Sequence, residues 1–154
     1  MASIAQTIRS CALAAALALP ATYALHPVAA QAQDGAYWPE DATLYIISPE
    51  DGATVASPVT VRFGLKGMGV APAGVDKART GHHHLLIDTD APTGEDLAMP
   101  LPADENHVHF GGGQTETTID LAPGTHTLQL IMGDMNHVPH DPPLVSKKIT
   151  VTVE

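Results

Sequence analysis

From residue 43 to the C-terminus, apolar and polar side chains alternate in short runs, and a 3.6-residue apolar spacing never persists for three turns. Successive side chains of a strand point to opposite faces, so this pattern predicts half-buried strands and almost no helix. Residues 43–47, Thr-Leu-Tyr-Ile-Ile, form the first run, which stops at Ser48-Pro49-Glu50-Asp51-Gly52. Residues 58–65 place Val59, Val61, Phe63 and Leu65 on one face. Further runs cover residues 82–88, 107–110, 115–121, 125–133 and 145–153. Between them lie a Gly/Pro-rich loop at 67–81, an acidic, Pro-containing loop at 89–105, three glycines at 111–113 and the turn Ala122-Pro123-Gly124. Seven short strands separated by turn signals predict an all-β fold, an antiparallel β-sandwich of the immunoglobulin-like kind. In such sandwiches an aromatic residue at the corner before the sixth strand hydrogen-bonds back to the turn. His126 occupies that place and reads as structural.

Ahead of the strands the pattern changes. Residues 1–10 carry one charge, Arg9; residues 11–19 are uninterruptedly apolar; a small-residue stretch ends at Ala30-Gln31-Ala32. A charged start, a short apolar segment and an A-x-A site predict a secretory signal cleaved after Ala32. The apolar run is too short to span a bilayer. The expected organisation is therefore a signal peptide at 1–32, an exposed leader at 33–42 whose Tyr37 and Trp38 pack back, and a sandwich domain at 43–154. A periplasmic or secreted protein follows, with no membrane span after cleavage.

The whole chain has 7 basic and 17 acidic residues. Removing Arg9 leaves six basic residues against those 17, a net charge of −11 for residues 33–154. Such a surface repels nucleic acid, which is bound through Lys and Arg on phosphates, and attracts cations in a general way. The one cysteine, Cys11, leaves with the signal, so the remaining domain has neither disulfide nor thiolate ligand.

Histidine is the abundant chemistry. Of nine histidines, eight lie beyond residue 32: His82, His83, His84, His107, His109, His126, His137 and His140. Alternation puts His82 and His84 on one face of their strand and His83 on the other, and puts His107 and His109 on one face of theirs. If the strands are lettered A to G, the B–C, D–E and F–G loops share one end of an immunoglobulin-like sandwich. The triple-histidine segment opens strand C, His109 ends strand D, and residues 132–140 form the F–G loop. Three groups distant in sequence thus meet at one end, while His126 falls at the other.

Imidazole is the commonest protein metal ligand, so His82, His84, His109, His137 and His140 form the expected metal set. His83, His107, Asp134 and Met135 are additional candidates, and Met132 continues an inward face and reads as core. A histidine-rich set with methionine nearby and no cysteine favours a copper ion in an exported protein, with a zinc ion second. The acidic residues are too scattered to gather the oxygens that calcium needs. Since imidazole must be neutral to ligate, affinity is expected to fall below about pH 6.5.

Gly81-His82-His83-His84-Leu85-Leu86-Ile87-Asp88, His107-x-His109-Phe110-Gly111-x-Gly113-Gln114-Thr115-Glu116, Pro123-Gly124-x-His126-Thr127-Leu128-Gln129-Leu130 and Gly133-Asp134-x-x-His137-x-Pro139-His140-x-Pro142-Pro143 are long, specific strings. Together they closely resemble a bacterial group of unassigned activity, the domain-of-unknown-function family numbered 4399, from about Ser48 to the C-terminus. The resemblance implies a small exported domain and no particular chemistry. His107-Val108-His109 and Leu121-x-Pro123-Gly124-x-His126 are also weakly similar to pieces of copper/zinc superoxide dismutase. That enzyme's next metal-binding histidines are replaced here by Leu128 and Gln129-Leu130, and the dismutase reading is rejected.

Three functions stay open at this point. The first is a periplasmic metal-binding protein for delivery, buffering or resistance, handing its ion to a periplasmic partner protein. The second is an interaction module that presents its loops to a protein or glycan, with the histidines as a hydrogen-bond network. The third, an enzyme, has the least support: there is no nucleophile elbow, phosphate-binding loop or dinucleotide fingerprint.

Overall fold

A computed structural model describes residues 37–154. The expected signal peptide at 1–32 and the first leader residues lie outside the described residues. Nine strands follow in order: β1 (Thr43–Ser48), β2 (Thr54–Val55), β3 (Val59–Lys66), β4 (Gly69–Val70), β5 (Thr80–Ile87), β6 (His107–His109), β7 (Glu116–Ile119), β8 (Gly124–Gly133) and β9 (Ile149–Val153). The one helical element among the described residues is a 3₁₀ turn at Gly94–Ala98. The seven expected strands are all present, and two short additions, β2 and β4, sit in stretches read as loop.

The strands form two sheets. The first has the order β1-β3-β7 and is antiparallel throughout. The second runs β2-β9-β8-β5, and β5 also pairs with β4 and with β6. The β3–β7 and β5–β8–β9 pairings are those of an immunoglobulin-like sandwich. Strand β6 departs from the constant-domain arrangement by joining β5 in the second sheet. That pairing sets Leu85 opposite Val108 and carries Phe110 inward, 4.8 Å from Phe63 between ring centroids.

Alternation explains the core. Val59, Val61 and Phe63 of β3 face Leu85 and Ile87 of β5, Leu128, Leu130 and Met132 of β8, and Ile149, Val151 and Val153 of β9, all buried. Trp38, ahead of β1, joins this cluster. A second, smaller apolar layer lies on the outer face of the second sheet. There Leu86 and Ile131 meet Leu101 from the β5–β6 connection, with Ala91 and Val145 packed against them. Strand β5 is accordingly buried on both faces, which is why its second half, Leu85-Leu86-Ile87, is a continuous apolar run where β3 and β9 alternate.

Two local results have simple causes. The last strand begins at Ile149 rather than at 145, because the Ser146 hydroxyl accepts the Leu130 N–H (2.9 Å) and takes over a ladder position, leaving Val145 as an isolated bridge to Ile131. At the corner before β8, His126 sits between two acceptors, Asp88 Oδ2 at 2.7 Å and the Ala122 carbonyl at 2.9 Å. Both ring nitrogens therefore have to donate, which favours the imidazolium, and Asp88 raises the His126 pKa.

Truncating Leu130, fully buried between the sheets, is expected to cost about 3 kcal/mol. Ile47→Ala, on the half-exposed face of β1, should cost no more than about 0.5 kcal/mol. Urea unfolding of both variants checks this; equal losses would contradict the layer assignment.

Candidate metal centre

Strand β5 presents His82 and His84 on the outer face of the second sheet, beside Leu86, and turns His83 inward. The register makes His84 the direct neighbour of His109 on β6 and sets His82 opposite Gly133 on β8. His137 arrives from the turn after β8. Ring centroids of His82, His84, His109 and His137 are all within 4.6–5.9 Å of one another. One ring nitrogen from each of His82, His84 and His109 lies within 4.8 Å of the others, an arrangement that could hold a metal ion. The Nε2 atoms of His82 and His84 are 3.1 Å apart. Two nitrogens bound to one ion at about 2.0–2.1 Å are separated by roughly that amount.

Glycines keep this space open. A Cβ at Gly133 would come within 2.9 Å of His84 Nε2 and 3.1 Å of His137 Cα, and one at Gly111 would lie 2.4 Å from the His109 ring. Alanine at either position would collide with the cluster.

The two β5 rings are out of water and short of partners. His82 and His84 are no more than 1% exposed. Their Nδ1 atoms, together with His109 Nε2, are buried without a hydrogen bond. Buried polar groups are almost always paired, and an ion, which takes one nitrogen from each ring, is a standard partner for a buried nitrogen such as His109 Nε2. Burial lowers the pKa of His82 to about 4, and His109 and His137 push the same way against Asp134. Burial lowers His84 to about 3, reinforced by His82, His109 and His137. His109 is lowered too, by burial and by His137. His82, His84 and His109 are thus biased to the neutral form, the form that ligates, and at His82 and His84 competition from protons moves well below the pH 6.5 expected of free imidazole.

The remaining candidates go elsewhere. His140 is not brought into the cluster: its Nε2 bonds Asp134 Oδ2 (2.9 Å) and its ring stacks on Tyr37 at 3.6 Å and 7°. Asp134 is not free to ligate either. Burial would raise its carboxyl, but the Val138 N–H, His140 and the Asn136 N–H hold it below the ordinary value. Its role is to fix the turn through amide bonds of 2.7 and 2.9 Å. His107 shares the outer face with His109 but turns to Asp104 (2.8 Å) and lines a separate cavity of about 290 Å³ beside Asp96 and Leu101. His83 points into the core, 5.2 Å from Phe63 between centroids. Burial takes its pKa to about 4, with the Gln114 backbone opposing weakly, and neither ring nitrogen closes a hydrogen bond. Met132 is core, as expected, and the described contact of Met135 is through its backbone carbonyl, which accepts the Gly74 N–H.

Sequence reading missed the apolar layer of Leu86, Leu101 and Ile131 that adjoins the histidines. The signal was present in Leu85-Leu86-Ile87, a run apolar on both faces of one strand.

Fold and cluster together define a class, a β-sandwich domain with a buried histidine cluster able to hold a metal ion. The chain belongs to the family described as Domain of unknown function (DUF4399), whose model matches residues 61–154. No curated protein and no solved structure matches it.

The buried histidines make the metal-free fold acid-sensitive. Below about pH 6.5 the unfolded chain binds protons at His82, His83 and His84 that the folded chain refuses until about pH 4 or lower. Stability should therefore fall steadily across that window, with His126, whose pKa is raised, opposing only in part. Thermal unfolding of chelator-treated protein measures the slope, and His83→Leu should flatten it. A melting temperature unchanged between pH 6.5 and 4 would contradict the neutral, buried assignment.

Proposed function

We propose that this chain is an exported metal-binding protein that takes one divalent transition-metal ion, copper ahead of zinc, on His82, His84, His109 and His137. The observation that carries the reading is the set of buried imidazoles that strand register brings together, one ring nitrogen from each of His82, His84 and His109 lying within 4.8 Å of the others. An ion takes one nitrogen from each ring, such as the facing Nε2 atoms of His82 and His84; a hydrogen-bond network, the rival role for these histidines, closes that one contact and leaves His109 Nε2 unpaired. A donor set of nitrogens alone suits copper(II), which heads the affinity order for such ligands, and is also acceptable to zinc. The support for copper here rests on the nitrogen donors rather than on methionine. The negative surface favours approach of cations. The N-terminal pattern supports export, and in the periplasm such a domain would buffer or deliver its ion to a partner protein.

Calorimetric titration of metal-stripped protein with copper(II), and separately with zinc, tests this. One ion per chain at micromolar affinity or tighter is expected, with copper the tighter. His84→Ala should weaken binding more than about 100-fold, beyond the cost of losing an outer hydrogen-bond partner. His107→Gln, outside the cluster, should leave affinity unaltered. Equal binding by wild type and His84→Ala would assign the uptake to surface histidine and end the proposal.

A further inference from the structure

Two of the clustered histidines sit on β5 and one ends β6, all held by sheet ladders. His137 differs. It sits in a turn, in the left-handed backbone region at φ 70°, as does His140 at φ 61°. Side chains with a Cβ adopt that region at a cost, so something outside the turn has to hold it. Part of the hold comes from the β5–β6 connection, where the Leu101 N–H donates to the His137 carbonyl (2.9 Å) and the His140 N–H to the Leu97 carbonyl (3.0 Å).

The rest comes from residues ahead of the first strand. The Trp38 indole N–H donates to the Pro139 carbonyl at 2.6 Å, across 101 positions of chain. Its ring is buried and lies where a Cβ on Gly81, one residue before His82, would touch it at 3.0 Å. Tyr37 lies flat on His140, and His140 is tied to the Asp134 carboxylate that fixes the Asn136 and Val138 amides on either side of His137. A continuous line of contacts thus runs from Tyr37 through His140 and Asp134 to the backbone that carries His137. His82 and His84 are fully buried while His109 and His137 are half-buried, so the cluster meets solvent on the His109–His137 side.

We propose that Tyr37 and Trp38 are positioning residues for the metal centre: they strap the His137 turn over the cluster, and the rate at which a bound ion leaves is set by how often that strap lifts. This rests on the metal reading above. The strap is a gate and not a ligand set, so its loss should raise the release rate while leaving one ion per chain.

The test loads the full-length mature protein with one equivalent of zinc and mixes it with excess EDTA in a stopped-flow instrument. Tyr37→Ala and Trp38→Phe should release zinc about 5- to 10-fold faster than wild type, the worth of one aromatic pair or buried hydrogen bond. Tyr37→Phe keeps the stacked ring and should release at the wild-type rate. Hydrogen exchange on metal-free protein gives a second readout: the Leu101, Asn136 and Val138 amides should exchange faster in Tyr37→Ala, with the β5 and β8 amides unchanged. Tyr37 is 42% exposed, so its truncation removes no core side chain and carries the test if Trp38→Phe loads poorly. Wild-type release rates in Tyr37→Ala overturn the strap alone. A wild-type protein that takes up no zinc or copper overturns the metal reading and the strap's role with it, and the exchange data then show whether the turn was held at all.

Discussion

The candidate site depends on two imidazoles, His82 and His84, being buried on the outer face of a sheet that is already covered by a core on its other side. Removing a ring nitrogen from water without a partner costs free energy, and the protein does so several times within a few ångströms. The cost is tolerated because the sheet is held by two apolar layers at once. The inner layer of Leu85, Ile87, Leu128 and Leu130 fixes β5 against β8, and the outer layer of Leu86, Leu101 and Ile131 anchors the long connection that covers the same face. Histidine positions on a strand gripped from both sides have little freedom to turn away. The result is a set of neutral, pre-aligned nitrogen donors, the arrangement in which least ordering is left to be done when an ion arrives.

Strand register does the assembly. Direct pairing of His84 with His109, and of His82 with Gly133, brings residues from three strands together without any of them lying in a loop. Gly133 matters here for its missing side chain, since the space above it is occupied by His84 and by the backbone of His137. The exposed side of the cluster is closed by a turn that is itself braced by Asp134. That residue illustrates how a plausible ligand becomes a support: once its carboxylate has accepted two amides and His140, it organises the turn.

Much of this was legible in the sequence, for a physical reason. Period-two alternation is local, so the seven strands and the split of His82 and His84 from His83 follow from neighbouring residues alone. The convergence of strands C, D and F at one end follows from how sandwiches are wired, and His126 at the corner shows the same logic. What could not be read was anything set by side-chain competition between distant segments. His140 and His137 look equivalent in His-Val-Pro-His, yet Tyr37 and Asp134 capture one of them and leave the other to the cluster. His107 and His109 share a face, but Asp104 three residues earlier turns the first aside. The pairing of β6 with β5, instead of with the first sheet, depends on where Phe110 finds room beside Phe63. The outer apolar layer was signalled by Leu86 in an unbroken run, but its partner Leu101 lies in a loop whose polarity hides it.

X-ray absorption at the metal edge of protein loaded with one equivalent of copper or zinc tests the central claim most directly. The account predicts three or four nitrogen neighbours at about 2.0–2.1 Å, with the outer-shell scattering of imidazole rings, reduced by one ring in a His84→Ala protein. A first shell dominated by oxygen, or one with the same ring count after that substitution, would contradict it.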